Sequence, residues 1–324
     1  MISLRNITKT YDGVCATDNL SLDIPEGELL VLLGKSGSGK TTTLKMINRL
    51  IEPDFGEILI EGQSVLNSKP ELLRRKVGYV IQHTGLFPHY TVSENIGLVP
   101  GLLGWDKNRI RQRVNELLNM TGLDAGLAGR YPDALSGGQQ QRVGIARALA
   151  ANPPVVLLDE PFGALDPLTR RQLQKALYTL RRQEKRTMVM VTHDMTEAVM
   201  LADRICLMEQ GRIQQVASPF DMIFHPTNTF VRSFFDDFRF RLELMVVKPS
   251  SLTPYLPEAD VYQARGQKVQ EVESVFEVLE LLERSEKEGA LPVMIGGVSY
   301  SLTAPDLMKA FYDWRESYRR KSDG

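Results

Sequence analysis

The sequence predicts an α/β protein built on a mostly parallel sheet, with an antiparallel portion near its start and a smaller α+β unit at its end. The first observation is a pair of apolar runs at 29–33 and 155–158, which are typical of strands that helices cover on both faces. The second is the alternation of such strands with helical patterns up to residue 216. The third is a change of composition near residue 237, after which three prolines fall within 249–260.

The first unit is predicted to span residues 1–236. Apolar residues at i, i+4, i+7 and i+8 from Ile110 place one face of a helix toward the core. Turn residues at 25–27 and 53–56 separate neighbouring strands. In chain order the predicted strands are 2–7, 19–24, 29–33, 57–60, 77–82, 155–158, 188–191, 205–208 and 212–216, and the predicted helices are 41–50, 106–121, 136–150 and 167–183.

The second unit is predicted to span residues 237–324 as a small α+β appendage. Apolar residues between 272 and 282 fall on one face of a helix at 272–285. A strand-like segment at 291–295, a turn at 296–297 and a basic-ended helix at 305–320 are expected to follow.

Composition narrows the class of protein. Of the 324 residues, 43% are hydrophobic and 24% are charged, as in ordinary globular proteins. The formal net charge of −1 provides no basic field, so no nucleic-acid partner is expected. The only cysteines are Cys15 and Cys206, a usage that fits a reducing cytosol. No apolar stretch reaches the roughly 20 residues that span a bilayer, so work at a membrane would require another chain.

Residues 34–41 read Gly-Lys-Ser-Gly-Ser-Gly-Lys-Thr and lie between a predicted strand and a predicted helix. This context predicts a phosphate-binding loop rather than a flexible Gly/Ser turn. Glycines let the backbone N–H groups turn inward, and the helix start adds the positive end of its dipole. We expect Lys40 to reach the β- and γ-phosphates and the Thr41 hydroxyl to bind Mg²⁺.

Three polar residues follow buried strands. Asp159 is placed at the carboxyl end of its strand, where ligands of open α/β sheets bind, and can hold Mg²⁺ there. Glu160 can polarise a water for attack on the γ-phosphate, although an acidic pair at a strand end can also cap a helix. His193 reaches the same sheet edge and can contact the γ-phosphate or order the water; taken alone, it would be a loop histidine.

Residues 135–139, Leu-Ser-Gly-Gly-Gln, open the helix predicted at 136–150. Ser136 and Gln139 have the S-x-x-Q spacing of a capping box. The glycine N–H groups and the helix dipole equally suit a second anion site. Nothing within the stretch decides between a cap and a site for phosphate.

With this stretch in place, the chain resembles the ATP-binding cassette (ABC) ATPases, whose signature is LSGGQ. The resemblance covers residues 1–236 with every motif in the expected order, and it implies a P-loop ATPase core with a helical signature subdomain. It implies that Tyr11 stacks on adenine and that Gln82 contacts Mg²⁺ and the attacking water. It also implies that Asp166 lies in a loop crossing a dimer interface and that His193 is the switch histidine.

The resemblance further implies a head-to-tail homodimer that hydrolyses ATP with Mg²⁺. Each ATP would lie between the phosphate loop of one chain and the signature helix of the other, with Glu160 and His193 as the catalytic residues. The implied Mg²⁺ ligands are Thr41, Gln82 and Asp159. The residues implied to bind ATP are Tyr11, Gly34, Lys35, Ser36, Gly37, Ser38, Gly39, Lys40, Thr41 and Thr42, while Ser136, Gly137, Gly138 and Gln139 would reach the partner's ATP.

The stretch at 82–96 resembles the importer class of this family, in which it forms a groove for a transmembrane subunit. Exposed Leu86, Phe87 and Tyr90 would suit such a docking surface, unless they pack beneath the helical subdomain. Together with residues 42–50, this stretch resembles the glycine betaine, carnitine and choline importers of bacteria. The resemblance implies a peripheral subunit at the cytoplasmic face of the membrane, with transmembrane permease subunits as partners and an extracytoplasmic solute-binding protein as an indirect one.

Other interpretations remain open at this point. The core motifs also fit an importer of another small solute such as an amino acid or a polyamine, an exporter subunit, or, less well, a soluble ABC ATPase without transport. Residues after 260 resemble a single cystathionine-β-synthase-type (CBS) module, and a plain dimerisation appendage is the alternative. The small β-barrel tail of sugar and polyamine cassettes fits less well, because the tail is predicted to hold two helices and few strands.

Overall fold

The computed structural model describes residues 1–82, 85–257, 272–284, 291–295 and 298–322. The chain divides into two compact units, Met1–Ser218 and Pro219–Gly324. Residue 237, near which the sequence predicts a boundary, lies inside the second unit. The turn predicted at 296–297 lies outside the described residues.

The described elements follow the predicted α/β order and include several short helices that the sequence pattern did not predict. The strands are β1 Ile2–Tyr11, β2 Val14–Ile24, β3 Leu29–Leu33, β4 Phe55–Ile60, β5 Gln63–Ser64, β6 Val77–Val80, β7 Val155–Asp159, β8 Thr187–Thr192, β9 Arg204–Glu209, β10 Arg212–Ala217, β11 Leu291–Ile295 and β12 Val298–Leu302. The α-helices are α1 Lys40–Ile47, α2 Pro70–Lys76, α3 Val92–Leu102, α4 Lys107–Met120, α5 Gly137–Leu149, α6 Pro167–Glu184, α7 Met195–Leu201, α8 Pro219–Phe224, α9 Thr229–Phe234, α10 Arg239–Val246, α11 Val275–Arg284 and α12 Ala304–Ser322. Within the described ranges, no helix has both the length and the apolar character that crossing a bilayer requires.

The central sheet of the first unit has the strand order β10-β9-β3-β8-β7-β6 among the residues described. All of its pairs are parallel except β10 with β9. β3, β7 and β8 are buried along their whole length, as their apolar runs predict. Because parallel strands end at the same edge of a sheet, the segments that follow β3, β7 and β8 meet there.

An antiparallel sheet with the order β2-β1-β4-β5 forms the start of the described chain. β1 and β2 are longer than the sequence pattern predicts and meet at Tyr11 and Val14. Register shifts after Leu4, Ile7 and Lys9 interrupt their pairing. Such irregularities break the two-residue alternation on which strand prediction depends, so only parts of β1 and β2 were recognised. The α/β class with an antiparallel portion is confirmed.

α3 is the longest of the helices that the pattern missed. It contains Gly97, Pro100 and Gly101, which all argue against a helix. Its start nevertheless carries a complete capping box, in which the Glu94 carboxylate accepts from the Thr91 N–H at 2.7 Å and the Thr91 hydroxyl accepts from the Glu94 N–H at 3.2 Å. The T-x-x-E spacing was the available signal.

The second unit has a core of its own, in which Phe311 of α12 is fully buried. Glu243 of α10 is buried and forms an ion pair with Arg315 of α12 at 2.6 Å. Rings of α8 also contact α12, since the Phe224 ring lies 5.3 Å from that of Tyr318. These contacts explain why the second unit includes the helices from residue 219 onward. Its assignment to a CBS-type module stays a prediction.

Candidate active site

Residues 34–39 form the turn between β3 and α1 at the carboxyl edge of the central sheet. Gly34 and Gly39 have positive φ angles of 154° and 98°. A Cβ at Gly34 would lie 2.3 Å from the Met208 carbonyl oxygen, and one at Gly39 would lie 2.4 Å from that of Ala16. Both positions therefore require glycine for conformation and for space. The predicted phosphate-binding loop is thus closely packed against two other segments of the same chain.

Lys40 begins α1 and lies buried across this turn. Its Nζ donates to the carbonyl oxygens of Gly34 and Lys35, both at 2.8 Å. Burial lowers the pKa of Lys40, while the charges of Glu160 and Asp159 act in the opposite direction. Because these two acceptors are neutral carbonyl oxygens, Lys40 can turn to phosphate oxygens without breaking an ion pair. Lys40 is thus placed to meet a phosphate at the loop.

The next residue, Thr41, donates through its hydroxyl to Asp159 Oδ1 at 3.1 Å. Asp159 is the last residue of β7 and only 2% exposed. Burial raises the pKa of Asp159, and this outweighs the lowering by the Thr41 hydrogen bond and by the charges of Lys45 and Lys40. A hydroxyl and a carboxylate side by side are the hard oxygen donors that Mg²⁺ prefers. The two residues fit a Mg²⁺ ion next to the loop.

Glu160 brings two further predicted residues together. Its Oε2 accepts from Gln82 Nε2 at 3.2 Å, and its Oε1 lies 3.1 Å from His193 Nδ1. An ionised carboxylate can only accept hydrogen bonds, so the proton of a neutral His193 lies on Nδ1 and its Nε2 is an acceptor. His193 can therefore donate to a phosphate oxygen only when both ring nitrogens are protonated, or after it leaves Glu160. The sequence alone did not reveal this restriction.

The backbone of Glu160 is in the left-handed region, with a φ of 46°. A non-glycine residue in this region costs about 1–3 kcal/mol, so neighbouring groups must hold it. The Glu160 N–H donates to the Val191 carbonyl at 3.0 Å. Buried Gln141 of α5 donates through Nε2 to the Pro161 carbonyl at 3.1 Å. Sequence reasoning missed Gln141, because a glutamine inside a helix carries no positional signal.

Ser136 caps α5, and the predicted capping box is present. The Ser136 hydroxyl accepts from the Gln139 N–H at 3.3 Å, and Gln139 Oε1 accepts from the Ser136 N–H at 2.9 Å. Ser136 and Gly137 are exposed, so this helix start faces outward. A Cβ at Gly138 would lie 3.4 Å from the Ala164 carbonyl oxygen, which places α5 beside the turn that follows Glu160. Its contact with a second phosphate stays a prediction.

Tyr11 and Asp166 lie apart from this group. Tyr11 is the last residue of β1, and its side chain is exposed. Lys9 Nζ lies 5.5 Å from the centroid of the Tyr11 ring. Asp166 caps α6, and the hydrogen bond from the Thr169 N–H lowers the pKa of Asp166. Among the residues that the structure describes, no hydrogen bond joins Tyr11, Asp166 or residues 136–139 to Lys40, Asp159 or Glu160. Their roles in binding stay predictions.

The segment at 85–91 exposes two aromatic rings. Phe87 and Tyr90 are 48% and 41% exposed, and their ring centroids lie 5.5 Å apart. Fully buried Asn95 holds the segment, because its Oδ1 accepts from the Phe87 N–H at 2.8 Å and its Nδ2 donates to the Tyr90 carbonyl at 2.9 Å. Leu86 is half-buried. Residues 83 and 84 of the predicted docking stretch lie outside the described residues.

Comparison with known proteins shows which proteins this chain is similar to. Residues 17–163 match the family model described as ABC transporter. The chain is 50% identical over 263 residues to the osmoprotectant import ATP-binding protein OsmV of Salmonella typhimurium, covering 79% of this chain and 69% of that protein. It is 46% identical over 271 residues to the glycine betaine uptake system ATP-binding protein YehX of Escherichia coli, covering 84% of this chain and 87% of that protein.

Further matches include a relative that is longer than this chain, and a solved structure. The chain is 51% identical to the glycine betaine/carnitine/choline transport ATP-binding protein OpuCA of Bacillus subtilis over 72% of this chain but only 62% of that protein. Among solved structures, a dimeric post-hydrolysis state of the ATP-binding cassette MJ0796 bound to ADP and Pi is similar with a TM-score of 0.64 and 38% identity. That match covers 67% of this chain and 98% of the cassette.

Replacing Asp159 by Asn is expected to stabilise the nucleotide-free protein near neutral pH. Burial raises the pKa of Asp159 in the folded chain, so ionisation of this carboxyl opposes folding above that raised pKa. The advantage of Asn should shrink as the pH falls through the raised pKa toward the ordinary value of 3.8, because the carboxyl of the folded chain is then protonated and neutral. Melting temperatures between about pH 5 and 8 measure it, with a rise of about 2–4 °C for each kcal/mol.

Asp54→Asn is the matched control, because hydrogen bonds from Lys9 and from the Thr10 N–H lower the pKa of Asp54. This variant should melt at a lower temperature than the wild type at pH 7. A lower melting temperature for Asp159→Asn at the same pH would contradict the account of a costly buried carboxylate.

Proposed function

This chain belongs to the ABC transporter family, and on that premise we propose that it is the ATP-hydrolysing subunit of a bacterial importer of osmoprotectants such as glycine betaine, carnitine or choline. The observation that carries the proposal is the assembly, at one sheet edge, of Lys40, the Thr41–Asp159 pair and a Glu160 carboxylate bound by Gln82 and His193. An ammonium, a pair of oxygen donors and an oriented carboxylate are the groups that phosphoryl transfer to water requires.

Residues 34–42 would hold the phosphates of ATP. The backbone of the loop and the start of α1 present N–H groups to the phosphates, and Lys40 leaves the Gly34 and Lys35 carbonyls for phosphate oxygens. Thr41, Asp159 and Gln82 would hold Mg²⁺, which neutralises charge on the β- and γ-phosphate oxygens when bound. Tyr11 would stack on adenine with its exposed ring.

Glu160 would act as the base that takes a proton from the attacking water. Hydrogen bonds to both carboxylate oxygens, from Gln82 and from His193, fix its direction. The left-handed backbone conformation of Glu160, held by its N–H bond to the Val191 carbonyl, further restricts where the side chain can point. His193 would meet the γ-phosphate after exchanging its contact with Glu160, so its ring can report the presence of that phosphate.

A second copy of the chain would complete each pocket. Ser136–Gln139 present an outward-facing helix start whose positive end suits the charge of a nucleotide held by the other chain. The solved cassette to which this chain is similar is itself a dimer bound to ADP and Pi. In the proposed homodimer, ATP bridges two positive helix ends, and its hydrolysis releases them. Asp166 would lie in the loop that crosses this interface.

The surface around Phe87 and Tyr90 would receive a transmembrane permease subunit. Two neighbouring exposed rings on a segment held by a buried Asn95 provide an apolar and rigid contact area. The chain would then sit peripherally on the cytoplasmic face of the membrane, with an extracytoplasmic solute-binding protein as an indirect partner and no role for nucleic acid. The second unit, which includes residues 237–324, would form a regulatory or dimerising appendage, and we assign residues 237–324 to a CBS-like module.

The class of solute rests on the named relatives, because the cassette itself presents no pocket for the solute in this proposal. OsmV, OpuCA and YehX are named for the import of osmoprotectants or of glycine betaine, carnitine and choline. Another small solute is the second candidate, since the chain is also 47% identical to a sulfate/thiosulfate import ATP-binding protein of Pseudomonas syringae.

Glu160→Gln is expected to lower ATP turnover by about 100-fold or more and to trap a dimer in the presence of ATP, because the carboxamide cannot take the proton of water. Light scattering after gel filtration, with and without ATP, measures the dimer. Glu116→Gln, which alters a half-exposed ion pair on α4, serves as the control and should hydrolyse ATP normally. A Glu160→Gln protein that stays monomeric with saturating ATP and hydrolyses it normally would refute the assignment.

The solute class is tested by reconstitution in liposomes with the permease and solute-binding proteins encoded beside this chain. Glycine betaine, choline or carnitine is expected to raise ATP turnover several-fold above the basal rate, because solute delivery promotes closure of the dimer. Stimulation by sulfate or an amino acid, with no response to the three quaternary amines, would disprove the solute class and leave the ATPase assignment standing.

A further inference from the structure

Glu197 is a buried carboxylate that the proposed hydrolysis does not use. It lies in the first turn of α7 and is only 6% exposed. Its Oε2 accepts from the Thr192 hydroxyl at 2.7 Å, while its Oε1 lies 3.4 Å from Gln174 Nε2 and 3.9 Å from an Arg170 guanidinium nitrogen. Burial raises the pKa of Glu197, while the Thr192 hydrogen bond and the Arg170 cation act in the opposite direction.

These contacts surround the backbone of His193. The Thr192 hydroxyl, which donates to Glu197, also accepts from the Asp194 N–H at 3.0 Å, so it joins the residues on both sides of His193. The Asp194 carboxylate caps α7 and lies 3.8 Å from Arg170. The imidazole ring itself is 69% exposed and touches Glu160. The network therefore holds the residues on either side of His193, while the ring itself contacts Glu160.

The same network reaches the predicted interface loop through α6. Arg170 and Gln174 lie one turn apart on α6, and both point toward Glu197. α6 is capped by Asp166, and the Arg170 N–H donates to the Asp166 carbonyl at 2.9 Å. One helix thus carries Asp166 at its start and holds Glu197 through its first two turns.

We propose that Arg170 and Glu197 form a positioning pair that couples the Asp166 loop to His193. The inference rests on the proposed function, in which a second chain contacts the Asp166 loop. A shift of that loop moves the first turns of α6, and Arg170 carries the shift through Glu197 to Thr192 and so to the ring of His193. Both members of the pair are positioning residues, since they act on hydrolysis through His193.

Glu197→Gln tests this coupling, because it keeps an oxygen for the Thr192 hydroxyl and removes the charge that faces Arg170. We expect kcat to fall about 10-fold while KM for ATP stays within about twofold, as for a supporting residue that orients a reacting group. Thr192→Val should reproduce the effect from the other side of the hydrogen bond. Glu116→Gln makes the same chemical change in an ion pair with Arg113 on α4, and should leave both constants unchanged.

A conservative variant of Arg170 and a double variant distinguish a positioning role from a loss of stability. Arg170→Lys should keep most of the turnover, whereas Arg170→Met should lower kcat about 10-fold, because only Lys preserves a cation beside Glu197. Arg170→Met combined with Glu197→Gln should lower kcat no further than either change alone, since both break one link. Melting temperatures of all variants confirm that the fold is retained.

An unchanged kcat in folded Glu197→Gln, or fully additive losses in the double variant, would overturn this inference and leave the proposed function intact. Absence of ATP turnover in the wild-type protein would overturn both. A parallel rise of KM and fall of stability in every variant, without rescue by Arg170→Lys, would assign the pair a purely structural role and would also overturn the coupling.

Discussion

The burial of charge at the carboxyl edge of the central sheet is the constraint on which the rest of the structure depends. Lys40 and Asp159 are nearly inaccessible to water, and burial disfavours the charged form of each. Close packing of Gly34 and Gly39 against neighbouring carbonyl oxygens fixes the turn that leads into Lys40. A site of this kind is costly without a ligand, and Mg²⁺ with a nucleotide would supply the compensating charges. Nucleotide binding and the stability of the first unit are thus linked.

Much of the site could be predicted from the sequence, because its chemistry is carried by local signals. The Gly-rich loop lies between a strand and a helix, and Asp159 and Glu160 end a buried apolar run. Parallel strands then bring His193 to the same edge without any further information. These predictions depend on periodicity and on strand direction, both of which the chain retains at these positions.

Other features could not be read in advance, because they arise from tertiary contacts. The buried Glu197 lies within a helical stretch, and only its distances to Thr192 and Arg170 reveal a role. The proton on Nδ1 of His193 is inferred from the 3.1 Å distance between Nδ1 and Glu160 Oε1, and no sequence pattern encodes that distance. α3 escaped recognition because glycine and proline propensities oppose it, while a capping box and packing outweigh them.

In the proposed homodimer, each nucleotide pocket is built by two chains. Mixing a Lys40→Ala chain with a Ser136→Arg chain tests it most directly, because a mixed dimer keeps one intact pocket. Each variant alone should lack ATP turnover, and an equal mixture should recover up to about a quarter of the wild-type rate, since half of the dimers are mixed and each keeps one of two pockets. Wild-type turnover by the Ser136→Arg chain alone would contradict the account, because the pocket would then be complete within one chain.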